Sequence, residues 1–274
     1  MKKFLYLIFL LCLLPQICCA AFFVDGFESG NLSHTENGAY WYGGSYQYAT
    51  ASTTRARTGS YSMRFMFGPN IADVTEERYN LGSNKTDVWI KYYLWLDSNF
   101  LYGDDADSDN NKFIRIWGDD YNDKVKNGAS FFYKSGASPY AEIQLETASG
   151  SSDVLGCNYE MSQVHTWGTW VIDPSDLGRW VAVKWHFKVD DGTGNGAIEL
   201  YVDDSLVAGR TEQSWADAPC GPGYFRNGYL FGATNYEYLE TWYAYIDDVI
   251  MADSDPDASS DVTPPANPSG LSVT

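Results

Sequence analysis

The chain has 274 residues, a formal net charge of −18 and an isoelectric point near 4.3. So acidic a molecule repels nucleic acid and anionic membranes, which excludes partners recognised through phosphate. It also disfavours strongly anionic glycans, unless a local basic patch or a bound cation intervenes.

The first segment, "MKKFLYLIFLLCLLPQICCAAFF", sets two lysines before an apolar run and small residues after it. This is the layout of a secretory signal peptide over residues 1–20, with cleavage after Ala20 or Ala21. The apolar run is short for a membrane span, so no membrane insertion is expected after cleavage. Cys12, Cys18 and Cys19 leave with this leader. Cys157 and Cys220 stay, and in an exported protein such a pair is expected to form a disulfide.

From there the chain reads as strands, with a period of two throughout. "DVWIKYYLWL" sets Val88, Ile90, Tyr92, Leu94 and Leu96 against Trp89, Lys91, Tyr93 and Trp95. "KFIRIW" sets Ile114 and Ile116 against Phe113, Arg115 and Trp117. "AEIQLE" sets Ala141, Ile143 and Leu145 against Glu142, Gln144 and Glu146. "WVAVKWHFKV" sets Val181, Val183, Trp185, Phe187 and Val189 against Lys184, His186 and Lys188. "AIELYVDD" and "YAYIDDVIM" add further strands. Many strands with one apolar face each predict an all-β antiparallel β-sandwich over residues 22–252. Residues 253–267, acidic and rich in Pro and Ser, read as a linker. Residues 268–274 look like the opening of a fibronectin type III repeat, which suggests further modules in the same chain.

Several motifs occur in a telling order: "VDGFESGNLS", "RARTGSYSMRF", "NKFIRIWGD", "RWVAVKWHFKVDDGTGNGAIELYVDD" and "YIDDVIM". With them the chain resembles the concanavalin A-like lectin/glucanase jelly rolls, most of all their polysaccharide-lyase-like and carbohydrate-binding branches. The resemblance implies two curved sheets with a glycan held on a concave face, and a polysaccharide as partner. It would place Trp89, Arg115, Gln144 and His186 along one groove. It also implies a structural Ca2+ ion between the first and last strands. Glu28 and Asp248 are the first candidate ligands there, with Asp25 and Asp247 as alternatives; calcium takes several carboxylate and carbonyl oxygens.

Three functions follow. A glycan-binding module needs stacking rings and hydrogen-bonding groups: Trp89, Tyr93, Trp95, Phe113 and Trp117 for the first, Arg115, Gln144 and Glu142 for the second. A polysaccharide lyase must neutralise a uronate carboxylate, remove the C5 proton and protonate the leaving oxygen. Arg115 and Gln144 suit the first role, His186 or His165 the second and Tyr93 the third. Lys91, Lys184 and Lys188 would hold the anionic chain. The arginine-rich, Gln-Ile-His and Tyr-Phe-Lys-Ala-Gly signatures of alginate lyases are absent. A retaining glycoside hydrolase of the laminarinase or lichenase kind would use Glu142 and Glu146, with Gln144 where those enzymes carry Asp. Four strand residues separate those Cα atoms by ~13 Å, while retention needs carboxyl oxygens about 5 Å apart.

Overall fold

A computed structural model describes residues 21–43, 48–71, 75–100, 111–121, 125–133, 141–149, 162–164, 171–172, 175–213, 223–231, 238 and 240–258. For residue 111 and for strand residues 125–133, 141–149, 162–164, 171–172 and 210–213 the description is of the backbone alone. The leader, Cys157, Cys220, His165 and the linker beyond Ala258 lie outside the described residues.

Among the described residues there is no α-helix, and no helix long and apolar enough to cross a membrane. The strands, in chain order, are β1 (Ala21–Asp25), β2 (Thr35–Glu36), β3 (Ala39–Trp41), β4 (Ala49–Ser52), β5 (Ser62–Phe67), β6 (Glu77–Lys85), β7 (Asp87–Leu96), β8 (Asn111–Trp117) and β9 (Val125–Tyr133). They continue with β10 (Ala141–Ser149), β11 (Ser162–Val164), β12 (Val171–Ile172), β13 (Trp180–Lys188), β14 (Gly196–Val202), β15 (Ser205–Gln213), β16 (Phe225–Leu230) and β17 (Trp242–Ala252). They form two antiparallel sheets. One has eight strands, in the order β15-β14-β13-β7-β17-β5-β4, with β1 also on β17. The other has nine, in the order β11-β10-β9-β8-β16-β6-β3-β2, with β12 also on β10. The molecule is the β-sandwich that the alternation predicts.

The alternation explains which residues are inside. Val88, Ile90, Tyr92, Leu94 and Leu96 of β7 are buried, as are Val181, Val183, Trp185 and Phe187 of β13. They meet Phe113, Ile114, Ile116 and Leu230 from the nine-stranded sheet in one core. Aromatic rings interlock across it: Phe113 lies edge-on to Trp185 and to Phe231, and Trp242 stacks on Phe67 at 4.2 Å between centroids. Burying each such side chain contributes roughly 1.5–3 kcal/mol. The buried indole N–H of Trp185 donates to the Tyr92 hydroxyl at 3.1 Å, so that polar pair costs little in the core.

Phe113 is a core residue, not a ligand-stacking one. The register of β8 on β9 slips between Lys112 and Ile114, so Phe113 is the extra residue of a bulge. The bulge sends both Phe113 and Ile114 into the core.

The nine-stranded sheet contains points of close approach, and Gly228 is one of them. Gly228 in β16 pairs with Tyr79 of β6 and Ile116 of β8. A Cβ there would overlap the Tyr79 ring and hydroxyl and lie 2.5 Å from the Arg115 carbonyl oxygen. We expect Gly228→Ala to destabilise the domain by about 2–3 kcal/mol, as overpacking does. A urea melt followed by tryptophan fluorescence measures this; an unshifted midpoint would mean that Tyr79 has room to move.

Candidate functional site

The outer surfaces of the two sheets lie on opposite sides of the core, and this divides the expected site residues into two groups. On the nine-stranded sheet, Arg115 and Trp117 lie on the side opposite the core once the bulge has been passed, but Trp117 is only 1% exposed and, like Phe113, offers no open ring for a ligand to stack on. Arg115 pairs in register with Tyr229 on one side and Gly128 on the other. Tyr229 pairs with Arg78, and Gly128 with Glu146, which pairs with Gln163. One register row thus crosses six strands through Arg78, Tyr229, Arg115, Gly128, Glu146 and Gln163. The adjacent row holds Asn80, Asn227, Trp117 and Lys126. On the other side, Lys112 and Gln144 both pair with Ser130. Positions two apart on a strand share a face, so the backbone puts Glu142, Gln144 and Glu146 on the face that carries Arg115.

This face is polar and tightly held. Arg115 is 8% exposed and Tyr229 is fully buried. Burial pushes the Tyr229 phenol well above its ordinary range, with the Arg115 charge pulling the other way. The group is therefore a protonated donor at neutral pH. The Asn80 side-chain amide donates to the Asn227 oxygen at 2.8 Å, and Asn227 donates to the Gly118 carbonyl at 2.6 Å. Arg78 is hydrogen-bonded to Glu76 and lies over the rings of Trp117 and Tyr121. Burial raises the Glu76 carboxyl despite the Arg78 charge. Asn227 and Tyr229 were not among the residues that alternation singled out. "FRNGYL" has buried residues on both faces, so its polar face leaves no alternating signal.

The other group lies on the outer face of the eight-stranded sheet. Trp89, Lys91, Tyr93 and Trp95 of β7 share it with Lys184 and His186 of β13, and none of them joins Arg115. The expected groove of Trp89, Arg115, Gln144 and His186 is therefore split, because β7 and β13 belong to one sheet and β8 and β10 to the other. Each residue on this face has its own local partner. Trp89 stacks flat on His186, 4.0 Å between centroids. His186 meets Glu199 through Nδ1 at 2.6 Å and Asp87 through Nε2 at 2.9 Å. Arg57 lies over the Tyr93 ring at 3.3 Å. Lys91 pairs with Asp257, and Lys184 with Asp255 and Asp257. Burial alone would lower His186, but its hydrogen bonds to the two carboxylates and their charges outweigh this and raise it. Both ring nitrogens of His186 are turned to carboxylates of its own sheet, and neither is turned toward the Arg115 face.

The four acids at the junction of β1 and β17 are also engaged. Asp25 accepts the Phe27 N–H and the Trp41 indole N–H, both at 2.7 Å. Glu28 accepts the Ser60 and Tyr61 N–H groups. Asp247 accepts from the backbone of Arg57, Thr58 and Asp248. Asp248 takes the Arg57 guanidinium and the Thr58 hydroxyl. Among the described residues no group of three or more His, Cys, Asp or Glu is arranged to hold a metal.

Two titrating groups make stability depend on pH in the same sense. His186 has a raised folded-state pKa, so its contribution is complete below about pH 6.5 and is lost as pH rises through the folded value. Glu77 is pushed up to about 8 by burial, opposed by the Gly43 N–H and helped by the Glu76 charge. Folded Glu77 keeps a proton that the unfolded chain releases near pH 4, so its contribution also falls with rising pH. The Tm is expected to decline between about pH 5 and pH 9, and His186→Gln and Glu77→Gln should each flatten the curve. A Tm that rises over that range would contradict both assignments.

No family model matches the sequence, and no curated protein matches it either. Solved structures do match. An endo-β-1,4-glucuronan lyase from the fungus Trichoderma reesei superposes with a TM-score of 0.53 at 10% identity, covering 87% of this chain and 100% of that one. The alginate lyase Aly36B superposes at 0.51 and 13% identity, covering 81% and 94%. This chain has the jelly-roll sandwich fold that these two proteins share.

Proposed function

We propose that this chain is an exported domain that recognises an acidic polysaccharide on the outer face of the nine-stranded sheet and cleaves it by β-elimination. The observation that carries this reading is the pairing of Arg115 with Tyr229 in one register row, with Gln144 and Glu146 on the same face. Arg115 and Gln144 supply N–H donors to a uronate carboxylate, which acidifies the C5 proton. Tyr229, held as a phenol, supplies the proton that the departing O4 takes. The C5 proton goes to the base, a role assigned to His165, the other histidine that the sequence offers for it; the C5–H and C4–O bonds break and a C4=C5 double bond forms. Both neighbours of matching fold are named as lyases of acidic polysaccharides, which supports this class. The leader supports export.

The test is incubation of the mature chain with glucuronan, alginate and neutral glucans, following absorbance near 235 nm and reducing ends together. Cleavage of an acidic polymer with a rise in both is expected. Tyr229→Phe should lower kcat by about 10²–10⁴-fold with the fold intact by circular dichroism. Arg115→Lys should lower kcat/KM by about 10²-fold or more. Reducing ends without absorbance would transfer the chemistry to Glu142 and Glu146. Silence in both channels, with retention of one polymer in affinity electrophoresis, would leave a binding module.

The calcium ion that the resemblance implies does not fit the four acids of the β1–β17 junction as they are arranged. The oxygens of Asp25, Glu28, Asp247 and Asp248 are already matched to N–H and O–H donors and to Arg57. We expect a chelator to leave the Tm unchanged. A fall in Tm restored by added calcium would place a cation at the β1–β17 junction.

A further inference from the structure

The outer face of the eight-stranded sheet is aromatic from end to end, and its two ends differ. Near Trp89 it is covered by residues 253–258, whose Asp253, Asp255 and Asp257 bind Lys85, Lys184 and Lys91. At the other end lies a shallow hollow of about 570 Å³, open to solvent and lined by Thr53–Ala56, Gly59 and Ser60 and by Trp95 and Trp180.

The walls suit one kind of ligand. Trp95 and Trp180 are register partners on β7 and β13. Their rings are 5.8 Å apart at 67°, packed edge to face. Arg55 lies over Trp95 at 4.2 Å and is the one charged residue of the lining. Its pairing with Asp97 is long, 3.9 Å, and its buried Nε has no hydrogen-bond partner. Thr53, Thr54 and Ser60 are exposed and bring hydroxyl groups to the rim. Indole faces for C–H surfaces, hydroxyls for hydroxyls and one guanidinium for a carboxylate are the complement of a hexuronic acid residue.

The hollow is also held open in advance. Its loop, residues 53–61, is fixed from both sides. Asp247 takes the Arg57 and Thr58 N–H groups, and Glu28 takes those of Ser60 and Tyr61. Ser62 donates to the Arg55 carbonyl at 2.5 Å. Gly59 has a φ of +59°, and its Cβ position coincides with the Glu28 carboxylate, so the turn closes tightly on that acid. A site that is already formed loses little entropy on binding.

We infer that this hollow is a second saccharide site, on the sheet opposite the Arg115 face, and that it takes a uronic acid residue with its carboxylate on Arg55 and its ring against Trp95 and Trp180. The site stands on its own residues, so it holds whether or not the other face cleaves its polymer.

The test uses the full mature chain carrying Tyr229→Phe, so that the probe is not consumed. The indole ¹H–¹⁵N signals of Trp95 and Trp180, assigned with Trp→Phe variants, are followed while a β-1,4-glucuronic acid tetrasaccharide is added. Both signals should shift saturably. Thr54→Trp, a change at an exposed rim position, should abolish the shifts. Arg55→Gln should weaken the acidic tetrasaccharide about tenfold, the loss of roughly one charge-assisted hydrogen bond. Cellotetraose should bind at least tenfold more weakly than the acidic probe. In the otherwise native chain, Trp180→Ala should lose these contacts and leave the 235 nm rate on soluble polymer unchanged. Unmoved indole signals, or shifts that survive Thr54→Trp, would overturn the site. Equal affinity for cellotetraose would overturn its assignment to uronic acid. Loss of the 235 nm activity in every chain while the shifts persist would sink the lyase reading alone.

Discussion

Asp247 sits fully buried at a bulge in β17, with three backbone N–H groups converging on its carboxylate. Much of the eight-stranded sheet depends on that arrangement. Before the bulge, Trp242–Ile246 pairs with β5; beyond it, Val249–Ala252 pairs with β1. β17 thus carries two neighbours in succession on one flank while β7 runs along the other. Asp248 adopts a φ of +51° to make the change of register, a conformation that Asp tolerates better than most residues. Burial raises the Asp247 carboxyl to about 6, and the N–H donors counter that rise. Two of these bonds, from Arg57 and Thr58, fix the 53–61 loop, so a constraint of the fold also shapes a surface.

The charge of the molecule is organised by pairing on one face and burial on the other. Around Trp89 the cations are matched by the chain's own acids: Lys85, Lys91 and Lys184 by the 253–257 segment, and further along Arg179 by Asp176 and Asp203. Surface pairs of this kind contribute little individually. Their larger effect is to remove attraction for a polyanion. On the nine-stranded sheet Arg115 lies buried beside Tyr229, away from that screening population.

Much of this was legible in the sequence, and what was not has physical reasons. The alternation in β7 and β13 reads cleanly because each strand has one buried and one half-exposed face. Sheet membership cannot be read that way, since pairing joins segments far apart in the chain. Hence Trp89 and His186, placed on the right kind of face, belong to the opposite side from Arg115. Phe113 misleads because a bulge adds one residue to the count without leaving a mark in composition. Asn227 and Tyr229 are missed because β16 is buried on both faces. Histidine between two carboxylates, as at His186, needs Asp87 and Glu199, which lie 99 and 13 residues away.

The segment after β17 does not leave the sandwich at the end of its last strand. It turns back and is fastened over Lys91 and Lys184, beside the stacked Trp89 and His186. The point from which free chain length is counted is therefore the middle of a sheet, not its rim. Ala258, the last described residue, thus stands over the outer face of the eight-stranded sheet, with the sandwich itself between it and Arg115.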